Sequence, residues 1–279
     1  MTSNSPKQLL SEWKLRAKHH FGQNFISNPE LSEKIAERAV QGQGGTVVEI
    51  GAGLGALTAP LLTRAMKVVA IERDRDLVPF LQGKFEQSIN DGRLVVLEED
   101  AKATDYLRQF GIGPAPYILA GNLPYQITGP LLRRAVELAS VIERAVLMVQ
   151  LEVADRLCAS PGSRSYGALS VFAQACFSVQ RISVVKRGAF YPQPNVDSAI
   201  IELTPLHPFV SEESPLFREI VQLAFRYRRK ILRNAWSGLT LAAASDLQSA
   251  AARSGIDLDA RGETLSVHHF ARLAKELAS

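Results

Sequence analysis

A short apolar strand that ends at Ile50 and runs straight into glycines at 51, 53 and 55 leaves this chain few folds to choose from. Residues 47–58 read Val-Val-Glu-Ile-Gly-Ala-Gly-Leu-Gly-Ala-Leu-Thr, which is a strand, a tight turn and the start of an amphipathic segment. An open α/β sheet presents a nucleotide-like ligand in this way, at the carboxyl ends of its strands. Without Cβ atoms the turn can take positive φ and bring its backbone close to the ligand. Gly51, Gly53 and Ala56 also satisfy G-x-G-x-x-A, so the turn alone fits either NAD or S-adenosylmethionine (SAM). Glu49, a carboxylate inside the strand just before the first glycine, leans towards SAM.

Strand and helix alternate downstream. Residues 66–72 read as a buried strand ending in Glu72, about twenty residues beyond the glycines, where a carboxylate can accept both ribose hydroxyls. Residues 93–97 form a third expected strand. Asp100, just past its end, falls on the ligand side of a parallel sheet, within reach of an adenine amino group. Residues 117–120 and 145–149 are further strands, and 131–139 and 151–159 are helices. Residues 176–185 and 198–203 alternate enough to be an antiparallel pair at the sheet edge. Asp74 and Asp76 read as caps for the helix that follows them. Upstream, Asn28-Pro29-Glu30 is an N-cap with proline at the first helical position, opening a helix to about Val40. The first eighteen residues, with Lys7, Lys14, Arg16 and Lys18, read as a mobile basic arm. After Pro205-Leu206-His207-Pro208 only helical periodicity remains. The expected division is therefore an α/β domain with a mainly parallel sheet over 1–205 and a small α-helical domain over 206–279.

Composition narrows the setting. At 279 residues, 46% of them hydrophobic, the chain can build one large core and a smaller one. No apolar run approaches the length of a membrane span, and the polar start is no secretory signal. Cys158 and Cys176 are isolated and four of the five histidines come as adjacent pairs, 19–20 and 268–269, so neither disulfides nor a metal site is suggested. A reducing cytoplasm is the natural setting. The net charge of +4 is compatible with a nucleic-acid partner.

Asn122-Leu123-Pro124-Tyr125, at the end of the fourth strand, carries the sharpest chemical signal. An exocyclic amine on a nucleobase is a poor nucleophile because its lone pair is delocalised into the ring. The Asn122 side-chain oxygen and the Leu123 carbonyl can each accept one of its N–H groups, localising the lone pair and aiming it at a sulfonium methyl. Pro124 fixes its own φ and restricts Leu123. Tyr125 offers a face on which a base turned out of its helix can stack.

Together with Phe21-Gly22-Gln23-Asn24-Phe25, Glu49-Ile50-Gly51-Ala52-Gly53, Glu72, Asp100-Ala101 and Phe190-Tyr191-Pro192-Gln193-Pro194-Asn195-Val196-Asp197-Ser198-Ala199, this motif resembles the ribosomal RNA adenine dimethyltransferase family. The likeness runs in order from about Lys18 to Leu203 and is greatest to the bacterial small-subunit (16S) enzymes of the kasugamycin-sensitivity type. It implies a SAM-dependent methyltransferase of Rossmann-like fold, acting as a cytoplasmic monomer with a role in ribosome biogenesis. Its substrate would be small-subunit rRNA within the small ribosomal subunit or its precursor, with two methyl groups placed on N6 of each of two adjacent adenines near the 3′ end. The resemblance further implies that Asn24, Ile26, Gly51, Glu72, Asp100 and Asn122 contact SAM, and that Phe190 stacks on the target adenine opposite Tyr125. Gln126 stands where such enzymes often have Asn.

In the helical tail Arg226, Arg229, Lys230 and Arg233 fall at i, i+3, i+4 and i+7, a spacing that puts them on one helix face suited to an RNA backbone. Other readings share parts of this pattern. A DNA adenine methyltransferase would use the same pocket, and labelled SAM with either nucleic acid separates the two. A binding factor without turnover, as in a mitochondrial transcription factor related to the family, has no need of Glu72 and an intact Asn122-Leu123-Pro124-Tyr125. A dehydrogenase fits the glycine turn alone, and a cofactor titration tests it.

Overall fold

The computed structural model describes residues 5–42, 44–240 and 247–278. In chain order the first elements are α1 (Pro6–Glu12), β1 (Phe25–Ile26), α2 (Pro29–Ala39), β2 (Thr46–Ile50), α3 (Thr58–Arg64), β3 (Lys67–Glu72), α4 (Val78–Lys84), α5 (Glu86–Asn90) and β4 (Leu94–Glu98). There follow α6 (Tyr106–Phe110), β5 (Tyr117–Asn122), α7 (Thr128–Glu137), β6 (Arg144–Gln150), α8 (Leu151–Leu157), α9 (Ala168–Cys176), β7 (Phe177–Val185), β8 (Phe190–Tyr191) and β9 (Ser198–Pro205). The tail holds α10 (Pro215–Arg226), α11 (Leu232–Ala235), α12 (Leu247–Arg253) and α13 (Val267–Ala278). The chain divides into two compact units, Met1–Ala154 with Gln180–Thr204, and Asp155–Val179 with Pro205–Ser279.

The first unit is built on a sheet of order β4-β3-β2-β5-β6-β9-β7. Strands β2 to β6 run parallel, and β9 is antiparallel to β6. Val47, Val48, Val69, Ile71, Leu119 and Val146 are all at most 1% exposed. Such continuous apolar runs are what a sheet covered on both faces requires. Helices α2, α3, α4 and α6 supply cover. Helix α2 starts where the sequence indicates: the Asn28 side chain accepts the Glu30 N–H, Pro29 follows, and Leu31, Ile35, Ala36 and Ala39 turn one face inward.

The N-terminal segment departs from the mobile arm expected of it, although residues 1–4 lie outside the described residues. Ser5 and Gln8 form a capping box at the start of α1, and Leu10 is buried. Trp13 sets its ring edge-on to Phe80, with centroids 5.1 Å apart. Lys18 pairs with Asp74 and Asp76. Asp74 also accepts the Asp76 N–H (3.1 Å) in the turn that leads into α4, although the N-cap position itself is Leu77, whose side chain caps nothing.

The second unit is helical. Trp236, 1% exposed, donates its indole N–H to the Ile220 carbonyl (2.9 Å), and Phe217, Val221 and Phe270 are buried in the same unit. The unit differs from a single cut at 205/206 because α9 packs on α10 and α13, with Phe172 edge-on to Phe217. The sequence offers no sign of this, since α9 lies between two segments that return to the sheet. A second departure concerns the basic residues. Helix α10 stops at Arg226, and residues 227–230 are turn and bend, so Arg226, Arg229, Lys230 and Arg233 do not share one helix face. The backbone after the break pairs elsewhere: Ile231 bridges Arg261, and the amides of Leu232 and Arg233 donate to Ala260 and Leu258. Leu232 is fully buried. That tertiary pairing outweighs the helical pattern of 226–233.

Candidate active site

The turn after β2 takes positive φ at Gly51 (74°), Gly53 (57°) and Gly55 (71°). A Cβ on Gly53 would lie 3.1 Å from the Phe25 ring, so glycine lets the segment 19–26 close down on the turn. Glu72, at the end of the neighbouring strand β3, holds the turn from the side. Its Oε2 accepts the Gly53 N–H (2.8 Å) and its Oε1 the Asp74 N–H (2.7 Å). Burial raises the Glu72 carboxyl above its ordinary range, against the lowering pull of those two amides. Each carboxylate oxygen keeps a second lone pair with which to accept a hydroxyl.

Glu49 is 1% exposed and accepts the Thr58 hydroxyl (2.6 Å). Burial pushes its carboxyl up to about 7. Lys84 donates to the Leu54 carbonyl (2.8 Å), and burial lowers its pKa while Glu49 pulls it up. Asp100, beyond β4, accepts the Lys102 N–H (3.0 Å) and faces Arg73 at 3.4 Å.

Opposite these groups stands the loop after β5. The Asn122 amide donates to the Asn24 carbonyl (2.8 Å), which orients the side chain and leaves Oδ1 as its acceptor end. The Leu123 N–H is committed to the Met148 carbonyl (3.0 Å). The Pro124 carbonyl accepts the Ile127 N–H (3.1 Å) and the Thr128 hydroxyl (3.2 Å), closing the loop onto α7. The Tyr125 and Ser198 hydroxyls are 2.7 Å apart, and burial raises the Tyr125 pKa.

One cavity is lined by Asn24, Ile26, Gly51, Glu72, Asp100 and Asn122, together with Leu123, Pro124, Tyr125 and Gln126. Phe190 is placed differently: it is 4% exposed in β8, paired across from Ile26, and does not line that cavity. The basic residues of the tail belong to the second unit. There Arg226 and Lys230 flank the exposed Tyr227 ring at 5.6 and 4.6 Å, and Arg233 faces Asp259 at 3.3 Å. Arg228, outside the helical spacing of the other four, reaches Glu263 (3.2 Å) and the Arg164 carbonyl (2.9 Å). Arg73 in the cavity wall and Lys18 and Asp74 beside it are residues that sequence reasoning misses, because their partners lie far away along the chain.

The residues fit SAM. A glycine turn without Cβ atoms, a buried carboxylate beside it and a second carboxylate at the next strand end supply what its amino-acid, ribose and adenine parts need, and Ile50, Leu54 and Ala101 add apolar wall.

Comparison with known proteins gives a consistent result. The profile described as ribosomal RNA adenine dimethylase matches residues 14–279. Ribosomal RNA small subunit methyltransferase A of Anaeromyxobacter sp. (strain K) is 42% identical over 284 residues, covering 98% of each chain. The protein of the same name from Geobacter sulfurreducens is 40% identical over 267 residues, covering 94% of this chain and 96% of its own. Among solved structures, the 23S rRNA methyltransferase ErmE superposes with a TM-score of 0.66 at 25% identity, covering 92% of this chain and 100% of its own. A dimethyladenosine transferase from Plasmodium falciparum gives a TM-score of 0.73 at 24% identity, over 89% of this chain and 95% of its own, and so shares the fold.

Proposed function

The chain belongs to the ribosomal RNA adenine dimethylase family, and on that premise we propose that it is a SAM-dependent methyltransferase that dimethylates N6 of two adjacent adenines near the 3′ end of 16S rRNA in the small ribosomal subunit. One observation carries the reading: the glycine turn after β2 and Asn122-Leu123-Pro124-Tyr125 after β5 leave adjacent parallel strands and open into one cavity.

Bound SAM supplies a sulfonium methyl that is already activated for transfer. The chain's own part is to hold and orient the acceptor. Asn122 has its amide donor occupied by Asn24, so its Oδ1 is the end available to an adenine N–H. The Leu123 carbonyl, restricted by the committed Leu123 N–H and by Pro124, would accept the other. Two acceptors in fixed positions draw the amine lone pair out of ring conjugation and set its direction, a preorganised electrostatic effect. Tyr125 stays neutral and contributes its ring face to the base. A stacking role for Phe190 on the other side of the base rests on the family resemblance alone, since its ring is buried in β8 outside the cavity lining. The methylated amine is acidic enough to lose its proton to water, so no general base is required.

Glu72 would hold the ribose hydroxyls and Asp100 the adenine amine of the cofactor, with Asn24 and Ile26 closing over it. The second unit would dock RNA through Arg226, Arg229, Lys230 and Arg233, and the protein would act as a monomer in the cytoplasm on the small subunit or its precursor. No helix among the described residues is long and apolar enough to cross a membrane.

Mass spectrometry of small-subunit rRNA from cells lacking the protein tests the assignment. Two adjacent dimethyladenosines should disappear, returning with the wild-type gene and not with Asn122→Ala. Unchanged modification would overturn it.

A further inference from the structure

The polar contacts that fasten residues 18–23 beside the cavity converge on one carboxylate. Asp74, whose side chain is 2% exposed, accepts from Lys18 Nζ and from Gln23 Nε2 (2.7 Å). Lys18 Nζ also reaches Asp76 at 2.6 Å, and Gln23 Oε1 accepts the Lys18 backbone N–H (2.7 Å). Next to this knot the Arg73 guanidinium lies over the Phe21 ring at 5.3 Å and faces Asp100 at 3.4 Å. The other end of the segment is held by different means: Phe25 and Ile26 pair with Tyr191 and Phe190, and Asn122 binds the Asn24 carbonyl.

The two ends therefore differ in how they can let go. Strand pairing and buried side chains hold 25–26. Hydrogen bonds donated to Asp74 by Gln23 and by Lys18, itself 27% exposed, hold 18–23. The segment 20–26 and the stretch from Gly51 to Glu72 line the cavity from two sides, so moving 20–26 away would widen it.

We propose that Lys18, Gln23 and Asp74 form a latch, positioning residues that keep the segment 18–26 closed over the cofactor and set the rate at which SAM and its demethylated product exchange. This rests on the reading of the cavity as the SAM site. Placing two methyl groups on one nitrogen requires spent cofactor to leave and fresh cofactor to enter between transfers, so the latch opens in every cycle.

The test uses the full chain with Lys18→Met and Asp74→Asn, and tritiated SAM chased with unlabelled SAM. Dissociation should quicken by about tenfold, the size of one lost charge-assisted hydrogen bond. Single-turnover methyl transfer at saturating SAM should keep the wild-type rate, and Lys18→Arg should restore slow dissociation. On the wild type itself, higher ionic strength should speed dissociation because the pairs are partly exposed. A wild-type dissociation rate in both variants, or a salt-independent rate in the unmodified protein, overturns the latch. A single-turnover rate that falls with the variants marks general damage and also overturns it. Failure of the wild type to bind SAM would overturn the cofactor reading beneath it, which separates the two failures.

Discussion

The Tyr125 and Ser198 hydroxyls lie 2.7 Å apart and join the loop after β5 to the first residue of β9, 73 positions further along the chain. Ser198 is fully buried, so it is a fixed post against which the Tyr125 ring is set. Tyr125→Phe keeps the ring and removes the bond, as does Ser198→Ala from the other side. Each should lower kcat/KM for RNA about fivefold, the worth of one neutral hydrogen bond, with SAM affinity unchanged. The double variant should be no worse than either single one. Full additivity in kinetics of the three variants would show that the bond does not position the ring.

Glu72→Ala should weaken SAM binding by roughly 1.5–3 kcal/mol, as expected for a lost charge-assisted bond. The structure adds a second effect: the Gly53 and Asp74 amides lose their acceptor, so thermal stability should fall as well. Calorimetric titration of the folded variant checks the first effect, and an unchanged affinity would refute the ribose role.

Asn122→Ala removes the oriented acceptor and should reduce single-turnover methyl transfer by about 10²–10³-fold, the range for losing one preorganised group at a reacting centre. SAM affinity should fall modestly too, because the Asn24 carbonyl loses its donor and the segment 19–26 is less firmly held.

Glu49 makes stability depend on pH. With its carboxyl raised to about 7 in the folded state, from 4.5 when unfolded, the folded chain holds the proton more tightly. The associated stability is fully present below about 4.5 and is lost as pH rises towards 7. Glu49→Gln keeps an acceptor for Thr58 and carries no charge. It should therefore gain up to about 3 kcal/mol over wild type at pH 8, while the two converge below about pH 4.5. Denaturant unfolding at the two pH values reads this directly; identical pH profiles would exclude the effect.

The basic residues of the second unit should act on RNA docking and leave SAM binding alone. Arg229→Glu with Arg233→Glu should abolish binding to the small subunit. Single alanine replacements should lower the salt dependence of RNA binding by about one unit of slope for each phosphate that is no longer neutralised. Affinity measured against salt concentration decides, and an unchanged slope would mean a solvated surface.

The parallel strands and the cavity walls are legible in the sequence because both are written locally. The glycines follow β2 directly, Glu72 and Asp100 mark the ends of their own strands, and Asn28-Pro29-Glu30 announces α2. What is not legible depends on partners distant in sequence. Lys18 pairs with Asp74, 56 residues away, and α1 stays in place through Leu10 and through Trp13 on Phe80. The helical spacing of 226–233 is a sound local pattern, overruled by backbone pairing of 231–233 with 258–261. Phe190 stands out by resemblance alone, and its burial beside Ile26 is set by an antiparallel contact across more than 160 residues that no local signal encodes.

Ile50 and Gly121 are partners across β2 and β5, so the turn that begins at Gly51 and the loop that follows Asn122 step off the sheet within one residue of each other. Neighbouring strands lie about 4.8 Å apart, a spacing fixed by their hydrogen bonds. The two loops are thus held on a gauge that the backbone sets and their own sequences do not. Even one methyl group on Gly121 would meet the Ile50 carbonyl oxygen at 2.6 Å and prise the two strands apart. Redirecting such a chain to a different RNA is then a matter of its loops and helical unit, whereas anything that spreads β2 from β5 alters the distance across which the methyl must pass.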